Sequence, residues 1–123
     1  MSKTTDLKAR ITAILKTLCS RVYDELAPDS REFPYIVFCL ESVMAGCREN
    51  YSLEINCYDY GTDPARADGL ADSIENLLKD YTYISDLMQF RTFLNNRSSI
   101  HEEDKKIKRK RLLFDLYYFE RRI

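Results

Sequence analysis

The sequence predicts an α+β fold, in which two helices pack on a mainly antiparallel four- to five-stranded sheet with a long C-terminal β-hairpin. Two stretches place apolar residues at helical spacing, and the stretches between and after them alternate apolar with polar residues, which is typical of strands. Residues 1–123 contain neither an internal repeat nor a low-complexity linker, so we expect a single domain.

The first helix is predicted over residues 6–20, where apolar side chains recur every three or four positions. Thr4, Thr5 and Asp6 are candidate caps for its first turn. Residues 22–25 are predicted to form a short strand or an extended exit, and Ala27-Pro28-Asp29-Ser30 breaks the regular structure.

The remaining elements follow from changes in periodicity. Gly61-Thr62-Asp63-Pro64 predicts the start of the second helix, with Asp63 or Thr62 as cap and Pro64 in the first helical position. The predicted elements are strands at 35–41 and 51–59 joined through 44–50, a helix ending near Asp80, and strands at 88–95 and 107–119.

The composition offers no pattern for catalysis, metal binding or cofactor binding. Cys19, Cys39, Cys47 and Cys57 form no CxxC pair and are expected to be reduced, and the one histidine, His101, lies in a predicted turn. Three scattered glycines exclude a glycine-rich phosphate loop, and no apolar stretch reaches the roughly 20 residues of a membrane span. We therefore predict a protein that is not an enzyme, with no cofactor, no metal and no membrane association.

A dense basic run is the most unusual feature of the sequence. Six of the seven residues from Lys105 to Arg111 are basic, and the acidic residues Glu102, Glu103 and Asp104 precede them. Period two places Lys108 and Lys110 on the face of Leu112, with Arg109 and Arg111 on the other. We expect this half of the strand to pair with residues 96–100 as a hairpin arm that projects from the body.

Three interpretations of the arm stay open at this point. It is a solvated arm protected by its charges from edge-to-edge aggregation, a docking element for an acidic neighbour such as another copy, or a nucleic-acid-binding segment. Paired tyrosines near the predicted strand ends suit either a protein interface or packing at the edge of the core. These pairs are Tyr58/Tyr60, Tyr81/Tyr83 and Tyr117/Tyr118.

The stretch VYDELAPDSREFPYIVFCLES resembles the opening of the tail-completion, or tail terminator, family of head–tail joining proteins from long-tailed phages and prophages. The runs YSLEINCYDYGTDPARADGLADSIENLL and RKRLLFDLYYFER fit the same plan, and the resemblance covers about residues 7–120. The sequence departs from the family at Cys57-Tyr58, where an aromatic such as Trp is frequent, and in the turn HEEDKK.

The resemblance implies a structural virion assembly protein that caps the phage tail tube and joins it to the head connector, typically as a ring of six copies. Its expected partners are its own copies in a homo-hexamer, the tail tube protein and the head–tail connector protein, with passive contact with DNA in the channel as an open alternative. The expected location is the tail of the virion, with host cytoplasm as the place of assembly.

Within such a ring, the charged hairpin is a candidate interface between subunits. Glu102, Glu103 or Asp104 of one copy would pair with Lys108, Arg109 or Arg111 of its neighbour. Single surface ion pairs contribute only about 0–1 kcal/mol, so these pairs would set the register of the contact rather than its affinity. The alternative functions are a small nucleic-acid-binding protein using residues 105–111 and a small enzyme with a deep polar pocket.

Overall fold

The protein is described by a computed structural model covering residues 3–29, 31–45, 48–86 and 88–120. One helix is followed by three strands, and this order occurs twice along the chain. The elements are α1 (Lys3–Leu15), β1 (Val22–Asp24), β2 (Tyr35–Ala45), β3 (Arg48–Tyr60), α2 (Ala65–Leu78), β4 (Asp80–Ile84), β5 (Met88–His101) and β6 (Ile107–Glu120).

All strands belong to one curled sheet with the order β1-β2-β3-β6-β5-β4. The neighbours pair antiparallel except β1 and β2, which are parallel. The α+β class is confirmed, but the predicted four to five strands were too few and the sheet is mixed. The missing strand is β4, because its alternation follows the apolar stripe of α2 after a single residue, Lys79.

The element boundaries differ from the predictions at three places. Helix α1 spans Lys3–Leu15, so it begins and ends earlier than the predicted 6–20. Just after its end, the Thr17 hydroxyl donates a hydrogen bond to the Ile14 carbonyl at 2.6 Å. The hairpin of β2 and β3 pairs as far as Ala45 and Arg48, so the predicted connection over 44–50 was too long. Helix α2 begins at Ala65, one residue after Pro64, and Asp63 Oδ1 accepts the Ala65 N–H at 2.9 Å.

Both helices cover the same face of the sheet and share one core. The fully buried side chains of this core alternate along the strands, so the apolar half of each strand points toward the helices. The central members are Leu7, Ile11, Leu15, Ile36, Phe38, Leu53, Ile55, Ala71, Ile74, Phe90, Leu112, Phe114 and Leu116. The opposite side of the sheet, which we call the open face, has no helix on it among the described residues.

Helix α1 contacts strands at both edges of the sheet. Lys8 Nζ lies 3.3 Å from Asp24 Oδ2 of β1, and the Arg10 guanidinium lies 4.8 Å from the centre of the Tyr83 ring of β4. Because β1 and β4 are at opposite ends of the strand order, one helix can reach both only if the sheet curls around it. Helix α2 packs on the same face, mainly against β6 and β3.

The basic half of β6 is not a projecting arm. It pairs with 98–101 of β5, close to the predicted 96–100, and it also pairs with 56–59 of β3 on its other side. Strand β6 therefore lies in the middle of the sheet along its whole length, and only the turn between β5 and β6 extends beyond it.

Candidate subunit interface around strand β6

The charged residues of β6 are divided between the two faces of the sheet, as the sequence predicts. Lys110 lies on the helix side, where its Nζ is 2.9 Å from Asp68 Oδ1 of α2 and donates to Ser99 Oγ at 2.9 Å. Lys108 Nζ donates to the Lys105 carbonyl at 2.8 Å. The helix-side lysines are thus held by the turn and by α2.

Arg109 and Arg111 lie on the open face and contact side chains of the neighbouring strand β3. Arg111 Nε bonds to Glu54 Oε1, and both side chains are about one-third exposed. Arg109 Nε donates to the buried Asn56 at 3.0 Å, and its guanidinium carbon lies 5.4 Å from the centre of the Tyr58 ring. Burial of the Tyr58 ring raises the pKa of its hydroxyl, although the Arg109 charge acts in the opposite direction.

The acidic turn is connected to the basic strand within the same chain. Glu102 Oε1 lies 3.2 Å from Arg109 Nη1, and Asp104 Oδ1 accepts the Lys106 N–H at 3.0 Å. Glu103 is exposed. Of the six predicted interface residues, the structure brings Glu102 and Arg109 together, whereas Arg111 pairs with Glu54, a partner that sequence spacing did not reveal.

An ion pair between a buried carboxylate and a largely exposed arginine joins β3 to the first turn of α2. Arg66 Nε and Nη2 donate to Asp59 Oδ2 and Oδ1 at 2.8 and 2.5 Å, and the Asp59 side chain is only 4% exposed. The hydrogen bonds from Arg66 lower the pKa of Asp59 below its ordinary value, against the opposing effect of burial. This bidentate pair fixes the start of α2 against the sheet.

Aromatic side chains occupy two patches of the open face. At one end, the rings of Tyr35 and Tyr58 stack with their centres 4.7 Å apart and nearly parallel. At the other end, Phe93 and Tyr117 are half-buried, with ring centres 5.6 Å apart. Of the tyrosine pairs noted in the sequence, Tyr58 and Tyr117 lie in these patches. Tyr118 is buried in the core, and Tyr81 and Tyr83 pack against that core on the helix side.

The described cysteines are free thiols, as expected: Cys19 and Cys57 are buried and Cys39 is half-buried, while Cys47 lies outside the described residues. Burial raises the pKa of the Cys57 thiol to about 12. The described part of the chain contains no group of three His, Cys, Asp or Glu that could hold a metal ion. None of its helices is long and apolar enough to cross a membrane.

Comparison with known proteins gives a similarity of fold. No protein-family model and no curated protein matches the sequence. The structure is similar to a chain in the solved structure of the virion of a native gene transfer agent (GTA) particle, with a TM-score of 0.68 and 16% identity. The similarity covers 93% of this chain and 90% of that chain, so the two share the whole fold rather than a common motif.

Proposed function

We propose that this chain is a structural component of a phage-type virion. The observation that supports the proposal most strongly is the similarity in fold to a chain of a GTA virion, because it extends over nearly the full length of both chains. A shared fold alone does not assign a function. The family resemblance of the sequence from Val22 to Phe38, which leads into β2, points in the same direction.

Within the virion, the chain acts as a ring subunit that caps the tail tube and joins it to the head connector. It works through contacts between proteins rather than through catalysis. The open face suits this role, because it presents half-buried aromatic rings beside internally paired charges, a mixture typical of protein interfaces. The partners would be further copies, the tube protein and the connector protein.

Nucleic-acid binding by residues 105–111 is the competing function, and the contacts of the basic run argue against it. Arg109, Lys110 and Arg111 each have a carboxylate partner in the same chain. A DNA phosphate would have to displace these carboxylates. This displacement reduces the free energy that DNA binding gains from the release of counterions. The exposed Lys105 and Lys106, together with Lys108, whose Nζ donates to a backbone carbonyl, are too few to form a phosphate-binding surface by themselves.

Removal of the protein from the virus or virus-like element that encodes it tests the proposal. Without a cap and a joining ring, we expect tails of uncontrolled length and heads that carry no tail, seen by electron microscopy of negatively stained lysates. Supplying the wild-type gene from a plasmid should restore joined particles. Normal particles with joined tails in the deletion strain would contradict the proposed role.

A further inference from the structure

Among the described residues, no strand pairs with the outer edge of β4. The Leu94 N–H donates to the Lys79 carbonyl at 3.3 Å and the Ser85 N–H donates to the Met88 carbonyl at 2.8 Å, so odd-numbered residues direct their backbone groups toward β5. Backbone groups alternate in direction along an antiparallel pair. The even-numbered residues therefore direct theirs away from the sheet, and these are Asp80, Thr82 and Ile84.

Strand β2 has a second free edge at the other end of the sheet. Strand β1 pairs only with Ile36–Phe38 of β2. The Glu25 N–H donates the last hydrogen bond, to the Phe38 carbonyl, and the positive φ of Glu25, 69°, then turns the chain away from β2. The rest of β2, residues 39–45, pairs only with β3 among the described strands. By the same alternation, Leu40, Ser42 and Met44 direct their backbone groups outward.

These two edges are complementary to each other. Following the pairings across the sheet, β2 and β4 run in the same direction. Suppose that successive copies are related by a rotation about an axis parallel to the strands. This rotation keeps the strand direction and leaves the helices of all copies on the same side of the joined sheets. Strand β4 of one copy would then meet β2 of the next in parallel. Hydrogen bonding requires an odd-numbered residue of β2 opposite Thr82. Opposite Glu41, the Thr82 N–H and carbonyl reach the carbonyl of Leu40 and the N–H of Ser42.

The side chains on the two edges fit the same register. With Thr82 opposite Glu41, Ile84 lies beside Val43, and these are exposed aliphatic residues on the open face, 57% and 47% exposed. Arg91 is the β5 partner of Thr82 and is exposed, and its Nη2 lies 3.3 Å from Asp80 Oδ1 of the same chain. Strand β4 separates it from Glu41 of the next copy, so Glu41 would join this exposed pair as a second carboxylate partner. The contact therefore joins an apolar pair and a pair of opposite charges.

We propose that successive copies of this chain join edge to edge, with β4 of one copy pairing in parallel with residues 39–45 of β2 of the next copy. The contact is heterologous, because each copy offers two different surfaces, and such contacts close into rings when the rotation permits. The inference rests on the ring subunit role proposed above and identifies the surfaces that build the ring. It also explains why a protein with two exposed strand edges would not aggregate once assembled.

Disulfide trapping tests the predicted neighbours. Parallel neighbouring strands lie about 4.8 Å apart, within the range of Cα separations that a disulfide can bridge. The variant Val43→Cys/Ile84→Cys, in a background with Cys39→Ser and Cys47→Ser, should give a ladder of covalent oligomers after mild oxidation, resolved on a non-reducing gel. The variants with one introduced cysteine, Val43→Cys and Ile84→Cys in the same background, should give a covalent dimer only when they are mixed, since the remaining Cys19 and Cys57 are buried.

The outcomes of the cross-linking experiment test two claims separately, the contact between β4 and β2 and the closure of the copies into a ring. A ladder that stops at a defined size supports both, whereas a ladder that continues without limit supports the contact and contradicts ring closure. Dimers of Ile84→Cys alone would show twofold pairing of β4 edges and overturn the inference. Sedimentation of a ring without any Val43–Ile84 cross-link would overturn the inference and leave the proposed function standing.

A charge exchange gives a second readout that does not depend on oxidation. Glu41→Lys should weaken association about fivefold, and Arg91→Glu should do the same, since each opposes like charges across the contact. Combining the two changes should restore association toward the wild-type level, measured by sedimentation equilibrium. Asp29→Lys, at an exposed site outside both edges, is the control for net charge. Loss of association that the double variant fails to restore would contradict the pairing.

Discussion

At the scale of single residues, the dense positive charge of β6 is compatible with the middle of a sheet because each long side chain has a specific partner. Arg111 bonds to Glu54, Arg109 bonds to Asn56 and Glu102, and Lys110 lies against Asp68. These partners come from β3, from the turn and from α2. The charges that suggest a solvated arm in the sequence therefore connect the elements of the fold.

The Asp59–Arg66 pair predicts a specific dependence of stability on pH. Because the Arg66 hydrogen bonds lower the pKa of Asp59 in the folded state, the pair stabilises above the unfolded pKa of about 3.9 and this contribution is lost as pH falls through the folded pKa. Asp59→Asn should reduce the free energy of unfolding by about 1–2 kcal/mol at neutral pH. The deficit relative to wild type should shrink in acid below pH of about 4.

Urea unfolding of both proteins across this pH range measures that difference. The control is Asp29→Asn, which changes an exposed carboxylate and should have little effect at any pH. A constant deficit for Asp59→Asn from neutral to acidic pH would show that the carboxylate charge is not the stabilising feature.

At the scale of secondary structure, the sequence predicts most elements because their periodicity is local. The alternation of Leu112, Phe114 and Leu116 correctly assigns the core face of β6. It could not place β6 between β3 and β5, since that position depends on pairings with residues more than fifty positions away, such as Ile55 with Leu112. Strand β4 was missed although Tyr81 and Tyr83 carried the signal, because the strand is short and follows α2 after one residue.

The two faces of the central strands should differ in their contribution to stability. Phe114 is fully buried between β6 and the helices, so Phe114→Ala should reduce the free energy of unfolding by about 3–5 kcal/mol. Phe93 lies on the open face against Tyr117, and Phe93→Ala should cost about 1 kcal/mol. Chemical denaturation gives both values, and equal losses would contradict the assignment of the core to one face.

At the scale of the whole molecule, the sheet is curled around α1. In the part of the chain that the structure describes, the outer edges of β4 and of residues 39–45 of β2 have no partner strand, and the two strands run in the same direction. Neither edge could be recognised in the sequence. A strand lies at an edge when no other strand pairs beside it, and this is known only once all the pairings in the sheet are known. The predicted interface at Glu102, Glu103, Asp104, Lys108, Arg109 and Arg111 remains a prediction. Several of those residues already pair within one chain, so we place the main contact between copies at β2 and β4.

We propose that this chain assembles into a closed ring of its own copies. Sedimentation velocity over a wide range of protein concentration, with and without short duplex DNA, tests it most directly. We expect one species of about six copies whose sedimentation coefficient does not change when DNA is added. A monomer at every concentration that shifts to a faster boundary with DNA at moderate salt would contradict the ring and favour nucleic-acid binding by residues 105–111.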